Sequence, residues 1–210
     1  MKTSIIWKKF LVEGKRIVTS GDIHALANEI GRAEKRSLYY LQEEEYIVRI
    51  LRGIFYVKTI EEREKGIIDP SIYDLVAMAL KKKGVKHWYF GLETALKLNN
   101  MTHEYFMIDY VISDSFRTTK VINIMNSRFK FIQRAIRFFD LGINKEKSIH
   151  YSDPEKTCLD LSYRSYLSTK SEDVYLLPMI EYKNALNLEL VKAYLEVYPP
   201  KFSKGIRGML

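Results

Sequence analysis

Several features of secreted and membrane proteins are scarce in this sequence. A single cysteine, Cys158, stands among the 210 residues, so no disulfide can form within the chain. That usage is typical of a reducing cytoplasm. The first residues lack an apolar run followed by a small-residue cleavage site, and no stretch approaches the roughly 20 apolar residues that span a bilayer. We therefore expect a cytoplasmic protein with no signal peptide and no membrane partner.

The sequence also lacks the residue patterns of common catalytic sites. Its four histidines are scattered, without the HExxH spacing of a zinc site, and its glycines are isolated rather than grouped in a phosphate-binding loop. Cys158 is expected to be a small buried apolar residue, with a nucleophile as the alternative. We predict no catalytic residue, no metal and no cofactor. An enzyme hypothesis is left open at Asp109 and Asp114, because a nucleotidyltransferase needs neighbouring carboxylates for Mg²⁺.

Apolar and basic residues are plentiful. A hydrophobic content of 47% and an aromatic content of 13% suit a packed core and are too high for a disordered chain. The 34 basic residues exceed the 26 acidic ones, which gives a net charge of +8. This surplus suits a polyanionic partner without identifying it.

The most informative pattern of the sequence lies in residues 18–58, and the rest of the chain is interpreted from it. Hydroxyl and acidic side chains at Thr19–Asp22 are typical of a helix start, and Gly31 is expected to end that helix in a left-handed conformation. A second helix is predicted from Arg32 to Glu44, followed by a β-hairpin with Arg52-Gly53 at its tip. This order predicts a winged helix-turn-helix, whose second helix fits the major groove of DNA.

The second predicted helix carries candidate DNA-binding side chains. Three cations and a tyrosine recur at spacings that place them on one helix face, away from the leucines. Arg and Lys bind phosphates or guanine edges, and Tyr donates to phosphate. A solvated helix face is the alternative, and the neighbouring helix, glycine turn and hairpin favour DNA. The predicted DNA-binding residues are Arg32, Lys35, Arg36, Tyr39, Tyr40, Arg49 and Arg52.

The whole chain is predicted to be an α/β (α+β) protein with an N-terminal winged helix-turn-helix and a larger mixed α/β domain. The DNA-binding domain covers residues 1–60. Residues 61–69 are polar, without a core pattern, and are predicted to be a linker. The second domain covers residues 70–198, and residues 199–210 are predicted to form a mobile basic tail.

A second basic segment lies between residues 115 and 139, which contain six basic residues and no acidic one. Within residues 128–131 two cations alternate with two phenylalanines, so the cations share one face of a strand. The segment predicts a second nucleic-acid surface, a docking face for an acidic partner, or the solvated outer face of a sheet. Its cations are Arg117, Lys120, Arg128, Lys130, Arg134 and Arg137.

Three segments, in the same order, resemble one protein family. Residues 49–56 (RILRGIFY) resemble the family's wing. Residues 89–96 (YFGLETAL) resemble the opening of its second domain, and residues 152–161 (SDPEKTCLDL) resemble its late helix. The family is the AbiEi-type antitoxin and transcriptional regulator of type IV toxin–antitoxin systems. The chain departs from the pattern at Glu93 and Thr94, where small residues are common, at Lys156, where arginine is usual, and at Phe55-Tyr56, which broadens the end of the wing.

The resemblance implies an adjacent gene for a nucleotidyltransferase-like toxin. It also implies autorepression through the winged helix and toxin neutralisation, direct or indirect, through the second domain. Because one such module contacts a short site, we expect a homodimer on double-stranded DNA with an inverted-repeat operator. The alternatives are a stand-alone regulator that senses a small molecule and a nucleotidyltransferase-like enzyme.

Overall fold

The structure is a computed structural model that describes residues 4–210, and it is a mixed α/β protein, as the sequence predicts. The chain forms two compact units. The first comprises the residues up to Lys86 together with 123–127, and the second comprises His87–Ile122 and Arg128–Leu210. Residues 1–3 of the predicted first domain lie outside the described residues. Among residues 4–210, no helix has both the length and the apolar character needed to cross a bilayer.

The first unit is built of helices around a small antiparallel sheet in the strand order β1-β3-β2. The predicted order of helix, turn, helix and hairpin is present in it. Its elements are α1 (Ser4–Val12), β1 (Ile17–Thr19), α2 (Ser20–Glu29), α3 (Glu34–Glu43), β2 (Ile47–Leu51), β3 (Ile54–Val57), α4 (Ile60–Lys65) and α5 (Ile72–Lys83).

The central strand β3 is buried on both faces. Phe55 and Val57 pack in a cluster with Trp7 of α1 and Leu41 of α3, so α1, α2 and α3 cover that face. Tyr56 points to the opposite face, because successive side chains of a strand alternate, and it too is fully buried. Helix α5 packs against all three strands but lies outside this cluster, because it covers the second face.

A buried carboxylate of α4 joins the residue before β1, strand β3, and the segment before α5. Glu62 accepts hydrogen bonds from Tyr56 Oη (2.6 Å), from Arg16 Nη2 (2.9 Å), and from the backbone N–H groups of Thr59 (2.7 Å) and Asp69 (3.0 Å). Burial tends to raise the pKa of the carboxyl group. The hydrogen bonds and the Arg16 charge outweigh burial, so the net pKa of Glu62 lies below its ordinary value.

Residues 61–69, predicted as a linker, are instead part of the first unit. Helix α4 begins with a capping box between Thr59 and Glu62, and α5 belongs to the same unit, which ends at Lys86 rather than at residue 60. The prediction was wrong because the buried side chain of this segment is charged. A glutamate in a polar segment is predicted to be exposed to solvent unless a partner for its charge is recognised. The partner of Glu62 is Arg16, which lies 46 residues away in the sequence.

The second unit is built on a mixed sheet in the strand order β6-β7-β5-β4-β9-β8, followed by a group of helices. The pairs β4–β9 and β5–β7 are parallel, whereas β4–β5 and β8–β9 are antiparallel. The elements are β4 (Trp88–Gly91), α6 (Glu93–Leu98), β5 (Asp109–Ser113), β6 (Ile122–Ile124), β7 (Ser127–Gln133), β8 (Ile143–Glu146), β9 (Ile149–Ser152), α7 (Pro154–Thr169), α8 (Glu172–Tyr175), α9 (Leu177–Glu181), α10 (Leu188–Tyr194) and α11 (Pro200–Met209), with 3₁₀ turns at Ile136–Phe139, Lys183–Ala185 and Leu195–Val197.

A polar group in the core joins the sheet of the second unit to its helices. Asp160 of α7 accepts hydrogen bonds from Tyr89 Oη (2.8 Å) and Tyr198 Oη (2.7 Å), and Lys156 Nζ lies 3.8 Å from its carboxylate. Burial, with the nearby Asp160 charge, raises the pKa of both phenols well above its usual value. The network links β4, α7 and the turn before α11.

Residues 199–210, predicted as a mobile tail, contain a packed helix instead. Phe202 and Ile206 of α11 are fully buried, and Ser203 Oγ donates to the backbone oxygen of Leu195 (2.8 Å). The prediction took Pro199-Pro200 as the end of regular structure, whereas Pro200 is the first residue of the helix. Gly205 permits a close approach of the Tyr175 ring, where any Cβ would lie 2.0 Å from the Tyr175 oxygen.

We predict that Glu62→Gln destabilises the first unit by roughly 1–3 kcal/mol, because it weakens the hydrogen bonds that Arg16, Tyr56 and two backbone N–H groups donate to a buried carboxylate. The pKa of Glu62 is lowered by folding, so its contribution is fully present above the unfolded pKa of about 4.3 and is lost as the pH falls through the folded pKa. The difference from wild type should therefore shrink in acid. Urea unfolding followed by circular dichroism between neutral and acidic pH measures this.

The matched control is Glu64→Gln, since Glu64 is an exposed residue of the same helix. Its stability should equal that of wild type at every pH. An equal effect of the two substitutions would contradict the role given to Glu62.

Candidate nucleic-acid interface

The turn between α2 and α3 is fixed by its own backbone. Gly31 has a φ of +65°, as the sequence predicts. Its N–H group donates to the Asn28 oxygen (3.0 Å), and the N–H group of Arg32 donates to the Ala27 oxygen (2.8 Å). These two bonds form a Schellman motif, which ends α2 and redirects the chain within a few residues.

Helix α3 presents one buried side and one exposed side. Ser37 and Leu41 are buried beneath it. At 100° per residue, Lys35, Arg36 and Tyr39 project to the opposite side, and all three are exposed, Tyr39 by 64%. The prediction that Arg32 belongs to this helix was wrong. The helix begins at Glu34, because the bond from the Arg32 N–H group to Ala27 makes Arg32 part of the turn.

An acidic residue in the first turn fastens α3 to α2. Glu34 accepts a hydrogen bond from Asn28 Nδ2 (2.8 Å), and its other carboxylate oxygen lies 3.3 Å from His24 Nδ1. The sequence did not predict this contact. The pattern that could have predicted it is the spacing of His24 and Asn28, one helical turn apart on α2, followed by the acidic Glu34 just after the glycine turn. The contact sets the angle at which the exposed side of α3 is presented.

Tyr40, a predicted DNA-binding residue, has a packing role. It is half-buried, and its ring lies 6.1 Å from that of Tyr46. Tyr46 in turn stacks under the guanidinium group of Arg63 at 3.8 Å and beside Trp7 at 4.8 Å. This aromatic group supports the end of α3, so Tyr40 lies beside the exposed face rather than at its centre.

The hairpin presents two further predicted residues. Arg49 pairs across the sheet with Phe55, so the two side chains lie on the same face of the sheet, on which α1, α2 and α3 pack. Unlike Phe55, the Arg49 side chain is exposed to solvent. The register shifts between Arg49 and Leu51, and the turn follows with Arg52 exposed beside Gly53, whose φ is +74°. The backbone N–H group of Ser20 donates to the Gly53 oxygen (2.9 Å), which ties the tip to the start of α2.

The predicted cations carry uncompensated charge. Within residues 4–210, the side chains of all five are exposed and take part in no ion pair and no hydrogen bond. They are Arg32, Lys35, Arg36, Arg49 and Arg52. Some other cations of the unit do have partners: Lys9 pairs with Glu29 (2.7 Å) and Lys58 pairs with Glu45 (2.7 Å). Unpaired exposed cations on α3 and the hairpin can bind an anion without first breaking an internal ion pair.

The second basic segment does not form one free surface. Three of its six cations are engaged within the second unit. Lys130 Nζ donates to the Thr119 oxygen (2.6 Å), Arg137 Nε donates to the Val197 oxygen (2.9 Å), and the guanidinium group of Arg134 lies over the Tyr163 ring at 5.5 Å. The other three, Arg117, Lys120 and Arg128, are exposed.

The acidic residues of the enzyme hypothesis have other partners. Asp109 accepts from Lys97 Nζ (2.6 Å) and Thr94 Oγ1 (3.2 Å), and Asp114 accepts from Ser115 Oγ (2.6 Å). No group of three or more His, Cys, Asp or Glu side chains among residues 4–210 could hold a metal ion. Cys158 is fully buried, as predicted, and burial raises the pKa of its thiol to about 12.

We predict that Gly31→Ala destabilises the first unit by roughly 1 kcal/mol, because a Cβ is strained at this positive φ. Gly21→Ala is the control. Gly21 lies inside α2 with ordinary backbone angles, and an added Cβ there would meet Thr19 Oγ1 at 3.6 Å. It should be neutral or stabilising by about 0.5 kcal/mol. Thermal unfolding of both variants measures the difference, and the same sign for both would contradict the turn geometry.

Comparison with known proteins assigns no family to the chain. The sequence matches no protein-family model and none of the curated proteins with which it was compared. The function proposed below therefore rests on the chemistry of the described residues and on the resemblance of the three sequence segments.

Proposed function

We propose that the chain is a cytoplasmic DNA-binding autorepressor and the antitoxin of a type IV toxin–antitoxin system. Its first unit would act as a winged helix-turn-helix and its second unit would counteract a nucleotidyltransferase-like toxin. The DNA-binding part rests on the five exposed, unpaired cations of the α2–α3 turn, α3 and the hairpin. The antitoxin part rests on the resemblance to the AbiEi family.

The arrangement supports a simple mode of DNA binding. Helix α3 enters the major groove with Lys35, Arg36 and Tyr39, whose side chains contact base edges and phosphates. Arg49 and Arg52 of the hairpin bind the backbone or the adjacent minor groove. Each phosphate contact releases counterions, so the affinity falls as salt rises. Because one winged helix contacts only a short stretch of DNA, two protein copies would bind the two halves of an inverted-repeat operator.

We predict that Arg36→Ala combined with Arg52→Ala weakens binding to the DNA upstream of the gene by at least tenfold. One bidentate base contact contributes about 1–3 kcal/mol, and a factor of ten corresponds to about 1.4 kcal/mol. Fluorescence anisotropy with a labelled duplex at several salt concentrations measures the dissociation constant and its salt dependence.

The matched control removes two cations from the opposite end of the unit, Lys8→Ala with Lys65→Ala. Trp7 Nε1 donates to the Lys58 oxygen (2.7 Å), so α1 lies beside the end of β3 that is far from Gly53. Helix α4 begins at the same end, at Ile60. This control should bind DNA as wild type does. Equal losses for both double variants would indicate net charge rather than a specific face.

The second unit offers an exposed apolar strip for a protein partner. Val174, Leu177 and Ile180 are 40%, 54% and 56% exposed, on the side of α8 and α9 opposite the buried Tyr175 and Met179. Acidic residues flank the strip along the chain, at positions 172, 173 and 181. Exposed apolar patches with a charged rim are typical of protein–protein contacts. We propose that this strip binds a toxin whose contact surface is apolar and surrounded by basic residues.

We predict that Ile180→Glu weakens toxin binding at least tenfold and abolishes rescue of cells that express the neighbouring toxin gene, because it places a charge in an apolar contact. Ile136→Glu is the control, since Ile136 is 54% exposed in the same unit. Titration calorimetry and growth rescue with full-length chains measure the effect. Wild-type rescue by Ile180→Glu would contradict the assignment of this strip.

Full-length chains suit this experiment better than a fragment that begins at residue 70. Such a fragment would contain α5 without the sheet against which it packs. The apolar side of α5, which includes Leu75, Val76 and Leu80, would then be exposed to solvent.

A further inference from the structure

A lysine-rich segment ends α5 and continues past it. Residues 81–86 read KKKGVK, and no acidic residue stands between Asp74 and Glu93. Gly84 ends the helix with a φ of +80°, and Lys86 follows in the next segment. All four lysines are exposed. The segment is therefore a concentrated positive charge on the surface of the first unit.

The structure places this segment beside the hairpin tip. Lys82 Nζ lies 3.3 Å from Asp22 Oδ2, in the first turn of α2. Two residues earlier, the N–H group of Ser20 donates to the Gly53 oxygen at the tip (2.9 Å). The start of α2 thus lies between the end of α5 and the turn that carries Arg52. The sequence did not predict this neighbourhood, because its pattern placed α5 in the second domain.

Helix electrostatics explain part of the lysine segment. Cations in the last turn of a helix interact favourably with its carbonyl end. That effect is confined to the last turn, so it does not account for Lys86, which lies beyond the helix. Lys82 is already paired with Asp22. Within residues 4–210, Lys81 and Lys86 have no ion pair and no side-chain hydrogen bond.

We propose that Lys81 and Lys86 bind backbone phosphates of duplex DNA, in the part of the duplex that lies on the hairpin side of the base pairs contacted by α3. The inference rests on the proposed DNA-binding function and extends the contact surface to a third element. Lysine is a compact, flexible point charge, which suits phosphate better than base recognition. These contacts supply affinity that is independent of base sequence, and they lengthen the duplex that one protomer covers.

The test uses full-length protein with Lys81→Ala and Lys86→Ala, which leaves the Lys82–Asp22 pair intact. Anisotropy titrations use the gene's own upstream duplex, a duplex of the same composition in shuffled order, and an upstream duplex shortened on the hairpin side. Because each lost phosphate contact lowers the salt slope by about 0.9, the slope should fall by about 1 to 2. Both full-length duplexes should lose affinity by the same factor. Shortening should weaken wild type more than the variant.

Several outcomes would overturn the inference. An affinity and salt slope equal to those of wild type, with Arg36→Ala and Arg52→Ala still weakening binding, would refute the lysine contact and leave the proposed function standing. An equal loss in Lys8→Ala with Lys65→Ala would reduce the effect to net charge. Loss of affinity for the upstream duplex alone would indicate base recognition instead. Failure of wild type to bind any duplex would refute the proposed function together with the inference.

Discussion

The hydrogen bonds that converge on Glu62 hold the first unit together. Arg16, Tyr56, Thr59 and Asp69 come from four successive parts of the chain, and each donates to one carboxylate. The network anchors α4 and leads the chain to α5, which covers the second face of the sheet. With both faces of β3 buried, the hairpin is a fixed part of a core and not a free arm. Its exposed arginines are therefore presented on a rigid support, which lowers the entropic cost of binding a partner.

Among the residues that the structure describes, several cations of the first unit have a carboxylate partner, whereas others have none. Those near α4 and the ends of α1 and α2, such as Lys9, Arg16 and Lys58, are neutralised by carboxylates. Those on α3 and the hairpin have no internal acidic partner within residues 4–210. An exposed charge that is unpaired keeps its long-range attraction for a polyanion. The distribution of carboxylates, rather than the net charge of the chain, therefore defines the candidate surface.

Three residues at which the sequence departs from the AbiEi pattern, Glu93, Thr94 and Lys156, have partners within the second unit. Glu93 forms a bidentate ion pair with Arg164, in which Arg164 Nη1 lies 2.9 Å from Glu93 Oε2. Thr94 Oγ1 donates to Asp109, and Lys156 lies near Asp160 among aromatic rings. A buried polar group is costly unless it has a partner, and the partners of these three side chains offset that cost.

The amino-acid sequence by itself determined the local features. The left-handed turn at Gly31, the hairpin at Arg52-Gly53 and the exposed side of α3 follow from residue types a few positions apart, because helix caps and turns are local interactions. The tertiary structure decided which polar residues are buried and which distant segments meet. Glu62 in a presumed linker, the packed helix in the presumed tail, and the lysines of α5 beside the hairpin all depend on contacts between residues far apart in the chain. Periodicity cannot reveal such contacts, since burial of a charge or a glycine depends on partners that the local sequence does not contain.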